Sequence, residues 1–153
     1  SEIAAYFDDH LLSCGLTYSG HPLACAAGNA CVDYYETHHI LDHVNEVGAV
    51  LGEILEQLKK KYQIVGDVRY IGLFSAIELV KDRETREPLV PYGRDPEGKM
   101  GKIIKMLEER GFMTYSHENM ILIAPPLIIT EQQLREEMEK MDEVLKIADE
   151  TMR

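Results

Sequence analysis

The chain has 153 residues, with 16 Lys or Arg against 27 Asp or Glu, so its formal net charge at pH 7 is −11. This length suits one domain with a hydrophobic core, and the acidic balance argues against nucleic acid or an anionic membrane as the main partner. No apolar run reaches the length of a membrane span. The three cysteines fit neither a disulfide framework nor the spacing of a zinc site, so we expect a cytoplasmic protein with reduced thiols.

The first part of the chain centres on a polar turn that runs into a helix of small residues. Residues 1–15 contain one short helical pattern and begin without Met, which favours a truncated start. Residues 16–28 then place hydroxyl side chains and Gly20 before Pro22, a residue suited to the first helical position. Free N–H groups at the start of such a helix favour an anion such as phosphate, although the turn could equally be a simple cap. The many Ala residues of helix 22–37 predict that it is buried against other protein.

Residues 40–62 show the clearest amphipathic pattern in the chain. Apolar residues recur there at steps of three and four, which predicts a helix with one buried face. His38, His39 and His43 lie near its start, and His39 and His43 share one helical face. No third ligand is placed nearby with them, so we expect a polar joint between helices and no metal site.

Beyond Gly66 the pattern changes to strands. Residues 67–71 and 73–80 predict two strands around Gly72, with apolar residues on both sides for part of the second strand, which indicates a sheet covered on both faces there. Residues 81–88 read as a charged loop. We interpret Arg69 and Glu78 as structural charges that need partners, because half-buried charges in strands are usually paired.

The last third of the chain predicts helix, two strands and helix. Asp95 and Pro96 indicate a helix start, and Gly111 indicates its end. Residues 112–116 and 120–124 read as strands, and Thr130 with Gln133 forms a capping-box pattern for the final helix. The order of elements predicts an α+β fold, in which an antiparallel or mixed sheet carries helices on one face.

Three motifs, in the order found in one known family, cover nearly the whole chain. They are T-Y-S-G-H-P-L-A-C-A-A from Thr17, V-R-Y-I-G-L-F-S-A-I-E-L from Val68 and A-P-P-L-I-I-T-E from Ala124. They resemble the motifs of the class III aminotransferases, which use pyridoxal phosphate (PLP) on the fold-type-I architecture. The resemblance implies that residues 1–38 end the large cofactor-binding domain and that residues 39–153 form the small C-terminal domain, in which helices cover the sheet.

The resemblance also implies roles for residues and partners. Thr17 matches the Thr that hydrogen-bonds the cofactor phosphate of the neighbouring subunit, so a homodimer is expected. The Lys that holds PLP lies upstream of this motif in the family, so we assign no catalytic residue here and expect the fragment alone to be inactive. The wording of the motifs favours an amine or ω-amino acid donor of the taurine or β-alanine type, with a 2-oxo acid as acceptor.

Many family members carry an Arg shortly before the P-P-L motif, where it binds the substrate carboxylate, but residues 114–119 contain none. Tyr115 and His117 in that stretch are either substrate contacts or surface residues at strand ends. Two other readings stay open. The chain could be a stand-alone α+β binding or regulatory module, or part of an aminomutase or decarboxylase of the same fold.

Overall fold

The computed structural model describes residues 2–15 and 17–153, so Ser1 and Leu16, the first residue of the predicted turn stretch, lie outside it. The chain divides into two compact units, one that ends at His38 and one that runs from His39 to Arg153. Whether the first unit belongs to a cofactor-binding domain stays a prediction.

The first unit consists of two helices, α1 (Glu2–Asp9) and α2 (Pro22–Thr37). The predicted helix over residues 22–37 is therefore confirmed. Neither helix buries a residue within this chain. Burial of α2 against other protein therefore stays a prediction. Its small side chains permit a close approach of another backbone, but they cannot bury themselves, and Val32 and Tyr34 also remain about half exposed.

The second unit is a two-layer α+β structure, as predicted. Its elements are α3 (Ile40–Lys61), β1 (Val65–Ile71), β2 (Phe74–Asp82), β3 (Glu87–Pro88), α4 (Lys99–Glu109), β4 (Tyr115–His117), β5 (Met120–Ile123) and α5 (Glu131–Thr151). The sheet has the order β1-β2-β5-β4, each neighbouring pair is antiparallel, and β3 pairs with the far end of β2. The inner faces of α3, α4 and α5 share one hydrophobic core with the sheet.

Strand β2 shows which face of the sheet the helices cover. Ser75, Ile77 and Leu79 alternate along the strand and are buried, whereas Phe74 is exposed and Glu78 is half-buried. This is the alternation of an antiparallel sheet with one packed face. The predicted coverage of both faces for part of the strand is found at its far end, where Val80 lies on the same face as Phe74 and is buried. The rest of that second face is exposed or half-buried.

Helix α3 packs against the β1–β2 turn without intervening side chains. A Cβ atom on Gly48 would lie 2.7 Å from backbone atoms of Gly72, and one on Gly52 would lie 2.5 Å from the Tyr70 ring. Gly72 has a φ of 54°, in the left-handed region that favours glycine. The close approach of helix and turn therefore depends on glycine at both surfaces.

Helix α4 begins later than the sequence predicts. Its N-cap is Gly98, with a φ of 64°, and not Asp95. The Asp95 carboxylate nevertheless accepts hydrogen bonds from the N–H groups of Lys99 (2.8 Å) and Met100 (2.9 Å), across one intervening turn. At the other end Gly111, with a φ of 76°, terminates the helix as predicted.

The final helix has the predicted start. Thr130 is its N-cap, and the side chains and N–H groups of Thr130 and Gln133 form a reciprocal capping box. The Nε2 atom of His43 lies 2.9 Å from the carbonyl oxygen of Ile129, immediately before this cap. Helix α3 is thus joined to the start of α5 by one side-chain hydrogen bond. The strands before α5 are shorter than predicted, since β4 begins at Tyr115 and β5 ends at Ile123.

Candidate cofactor-phosphate site and the charged face of the sheet

Thr17 lies in a turn over residues 17–20, which is followed directly by His21, the N-cap of α2. The carbonyl oxygen of Tyr18 accepts a hydrogen bond from the N–H of His21 at 3.2 Å, which closes the turn. Gly20 has a φ of 71°, so this conformation requires a residue that tolerates the left-handed region. The Thr17 side chain is exposed and free to meet a ligand.

The start of α2 offers donors and no competing acid. Pro22 occupies the first turn, and His21, the N-cap, provides no side-chain acceptor for the N–H groups behind it. The sequence has no Asp or Glu, and no Lys or Arg, from residue 11 to residue 32. A hydroxyl in the turn that leads into the uncapped positive end of a 16-residue helix suits a phosphate group. The donor set of this turn therefore fits the phosphate of PLP.

The two charges interpreted as structural do form an ion pair. The Arg69 Nη1 atom lies 2.8 Å from Glu78 Oε2 and 3.3 Å from Asp67 Oδ2. Asp67 also accepts a hydrogen bond of 2.7 Å from the Nζ atom of Lys59, and this bond lowers the pKa of the Asp67 carboxyl below its ordinary value. These four side chains form a continuous ionic chain on the face of the sheet that the helices leave bare.

No pattern in the sequence indicates the contacts of Arg83, which lies in the predicted charged loop 81–88. Its Nε atom donates to the Val65 carbonyl oxygen at 2.9 Å, and its Nη2 atom donates to the carbonyl oxygens of Tyr62, at 2.7 Å, and of Lys59. These carbonyls belong to the end of α3 and the start of β1. A cation at the negative end of a helix is stabilised by the helix dipole.

Tyr115 and His117 are both exposed on β4, and the Tyr115 side chain retains 64% of its accessible surface. The two readings of these residues, substrate contact or strand-end surface, therefore remain predictions. The histidines near the joint of α2 and α3 make separate contacts. His38 bonds to the carbonyl oxygen of Tyr34, whereas His39 lies 3.6 Å from Asp42. Within residues 2–15 and 17–153, no group of three His, Cys, Asp or Glu residues is arranged to hold a metal ion.

Comparison with known proteins settles the family. The family model described as aminotransferase class-III matches residues 2–145. This chain is a member of the class III aminotransferases. The resemblance of its three motifs is thereby confirmed, and so is the fold class that the resemblance implied.

Individual relatives agree with this assignment. The crystal structure of a taurine:2-oxoglutarate aminotransferase from Bifidobacterium kashiwanohense, in complex with PLP and glutamate, is 48% identical, and it superposes with a TM-score of 0.90 over 100% of this chain and 34% of its own. The adenosylmethionine-8-amino-7-oxononanoate aminotransferase of Methanocaldococcus jannaschii is 35% identical over 136 residues, or 88% of this chain and 28% of that protein. An ethanolamine-phosphate phospho-lyase homolog of Caenorhabditis elegans is 34% identical over 134 residues, or 86% of this chain and 27% of that protein.

The chain thus spans between a quarter and about a third of the length of these relatives. The matched family and the PLP-containing neighbour confirm pyridoxal phosphate as the cofactor of this class of protein. Across the described part of the chain, none of the helices combines the length and the apolar character that a membrane crossing requires.

Proposed function

We propose that this chain is the C-terminal part of a PLP-dependent aminotransferase that transfers an amino group from an amine or ω-amino acid, of the taurine or β-alanine type, to a 2-oxo acid. The observation that carries the proposal is the match to the taurine:2-oxoglutarate aminotransferase, which extends over the whole chain at 48% identity and a TM-score of 0.90. The whole enzyme acts as a homodimer in the cytoplasm, without nucleic acid or membrane as a partner.

In this proposal Thr17 binds the phosphate of the cofactor held by the neighbouring subunit. When bound, PLP supplies the electron sink for amino-group transfer. The chain's own contribution is to fix the phosphate: the Thr17 hydroxyl donates to a phosphate oxygen, and the positive end of α2 lies beside it. The hydrogen bond between Tyr18 and His21, with Gly20 in the left-handed region, supports this proposal because it fixes the backbone between Thr17 and α2.

The Lys that holds PLP lies, on this proposal, in the part of the parent enzyme upstream of Thr17. The isolated 153-residue chain is therefore inactive. The first experiment purifies the full-length parent with PLP, records its visible absorption and measures glutamate formed from 2-oxoglutarate with taurine, β-alanine and other amines. The isolated chain serves as the control. Turnover by the isolated chain would refute the upstream position of the Lys, and a parent without PLP absorption would refute the enzyme reading.

The role of Thr17 is tested by three variants of the parent enzyme. Removing one hydrogen bond to a charged group costs about 1.5–3 kcal/mol, so Thr17→Ala should weaken PLP binding at least about tenfold. Thr17→Ser keeps the hydroxyl and should retain most of the affinity. Ser19→Ala removes a neighbouring hydroxyl of the same turn and should leave PLP binding unchanged. Equal losses in Thr17→Ala and Ser19→Ala would show that the turn as a whole, and not the Thr17 hydroxyl, matters.

A second candidate is another reaction of the same fold, such as that of an aminomutase or decarboxylase. It is favoured by one observation: a relative that covers 86% of this chain is named a phospho-lyase homolog and not an aminotransferase. Product analysis separates the two. Glutamate formed in step with loss of the amine supports transfer, whereas isomerised amine, carbon dioxide or released phosphate supports the second candidate. A stand-alone binding module would show none of these products.

A further inference from the structure

The bare face of the sheet carries a cavity of about 580 Å³ at the ends of β1 and β2 that lie away from the Gly72 turn. Six charged side chains line it, four of them basic: Lys59, Arg69, Arg83, Arg86, Asp67 and Glu78. The cavity therefore has an excess of two positive charges, in a chain whose net charge is −11. A concentration of positive charge against the overall balance indicates a local preference for anions.

Two of the four basic groups neutralise the two carboxylates. Lys59 donates to Asp67 at 2.7 Å, and Arg69 lies 2.8 Å from Glu78. These pairs fix the side chains in the cavity wall and remove the repulsion that a free carboxylate would exert on an incoming anion. The surplus charge is then that of Arg83 and Arg86.

Arg83 is held so that part of its donor set remains available. Its Nε and Nη2 atoms donate to backbone carbonyls at the end of α3 and the start of β1, whereas no described residue accepts from Nη1. The guanidinium is thus oriented before any ligand binds. A guanidinium group that is already held in one orientation loses little conformational entropy when it binds an oxyanion.

Arg86 provides the second set of donors. It lies in the turn between β2 and β3, where its φ is 60°, and its side chain is exposed. Its guanidinium forms no hydrogen bond or ion pair with another described residue. A basic group that ends at a cavity rim without a carboxylate partner can bind a ligand without first breaking an internal ion pair.

We propose that this cavity binds a polyphosphate chain, either free or as part of a nucleotide, at a site separate from amino-group transfer. Guanidinium groups match phosphate oxygens bidentately, and two of them suit successive phosphates better than a single one. The volume, about 580 Å³, lies in the usual range of small-molecule sites and exceeds what one phosphate fills. The cavity is lined by side chains from residues 59–86 alone, so its binding of polyphosphate does not depend on the proposed function.

The test measures binding of inorganic tripolyphosphate to the full-length parent enzyme, saturated with PLP so that the proposed cofactor-phosphate site is filled, by isothermal titration calorimetry in magnesium-free buffer. Arg86→Ala should weaken binding about tenfold, because it removes a charge-assisted contact and leaves the fold unchanged. Arg94→Ala is the matched control, since it removes an exposed Arg from another irregular loop, and it should leave the affinity unchanged. Circular dichroism verifies that both variants fold.

Two further ligands complete the experiment. If ATP binds at least as tightly as tripolyphosphate, the proposal is supported and nucleotides are suitable ligands. If tripolyphosphate binds more tightly than ATP, the proposal is also supported, and the phosphate chain alone is the group that the cavity recognises. Adenosine, which lacks phosphate, should not bind. The proposal is overturned if tripolyphosphate does not bind at about 1 mM, if adenosine competes with it, or if the Arg94 and Arg86 variants lose affinity equally.

Discussion

Replacing Gly48 by Ala tests the close packing of α3 against the β1–β2 turn. The added Cβ would lie 2.7 Å from the carbon and oxygen atoms of Gly72, about 0.8 Å inside ordinary contact distance. Ala gains about 1 kcal/mol of helix propensity over Gly, but an overpacked methyl group costs about 1–3 kcal/mol. Because the contacted atoms are backbone and not the end of a flexible side chain, the upper part of that cost applies. We expect Gly48→Ala to lower the free energy of unfolding by about 1–2 kcal/mol.

The matched control is Gly101→Ala. Gly101 lies in α4, is exposed, and a Cβ there would meet no atom within 4 Å. The same substitution should therefore stabilise the chain by up to about 1 kcal/mol, through helix propensity alone. Urea unfolding followed by far-UV circular dichroism measures both variants, and comparable m-values permit the comparison. A Gly48→Ala variant as stable as wild type, or one that matches Gly101→Ala, would refute the packing argument.

Three other substitutions test individual interactions by the same unfolding assay. Asp95→Ala removes the acceptor for three N–H groups at the start of α4 and should cost about 1 kcal/mol, so an unchanged midpoint would show that water replaces the carboxylate. Ser75→Ala removes a buried hydroxyl whose oxygen has no hydrogen-bond partner among the described residues, so it should be neutral or stabilising, whereas a loss above about 1 kcal/mol would reveal a partner outside them. The hydrogen bond from Lys59 lowers the pKa of Asp67, so its stabilisation is present above the ordinary carboxyl pKa and is lost as the pH falls through the lowered value. Asp67→Asn should therefore lose less stability than wild type between neutral pH and pH values below about 4, and identical acid profiles would contradict this assignment.

Periodicity predicted the long helices because their apolar side chains meet one continuous core. The buried residues of α5 that recur at helical spacing, such as Leu134, Met138 and Met141, are the ones that its sequence pattern indicates. Capping chemistry is equally local, so the box formed by Thr130 and Gln133 could be recognised without any tertiary information. Elements whose stability depends on nearby residues are thus readable from the sequence.

Features that depend on distant contacts were not predictable in the same way. Asp95 predicts the start of α4 because its carboxylate accepts hydrogen bonds from the first N–H groups of the helix. The turn between Asp95 and the observed N-cap, Gly98, has no sequence pattern that would indicate it. Coverage of the second face of the sheet is predicted from its apolar residues alone, and those residues do not indicate which other element would pack against them. The carbonyl contacts of Arg83 join residues more than 15 positions apart, so no local spacing indicates them.

The candidate cofactor site also combines features that the local sequence indicates with one that it does not indicate. Gly20 and Pro22 indicate the turn and the helix start from their own conformational limits, and the structure has both. The role proposed for Thr17 comes instead from the motif it shares with its family, because on that proposal the phosphate it would bind is held by another subunit. No property of an exposed hydroxyl within one chain distinguishes a phosphate ligand from a helix cap.

The contacts of Arg83 have a consequence for how the chain opens. One side chain joins the segment after β2 to the end of α3 and the start of β1, so none of these three segments can fray without releasing the same guanidinium. Amide protons at the end of α3 should therefore exchange with solvent at rates close to those of the β1–β2 hairpin, as one cooperative unit. Arg83→Lys keeps the positive charge but lacks the planar guanidinium that contacts several carbonyls at once. In that variant the amide protons of the last turn of α3 would exchange independently of the β1–β2 hairpin.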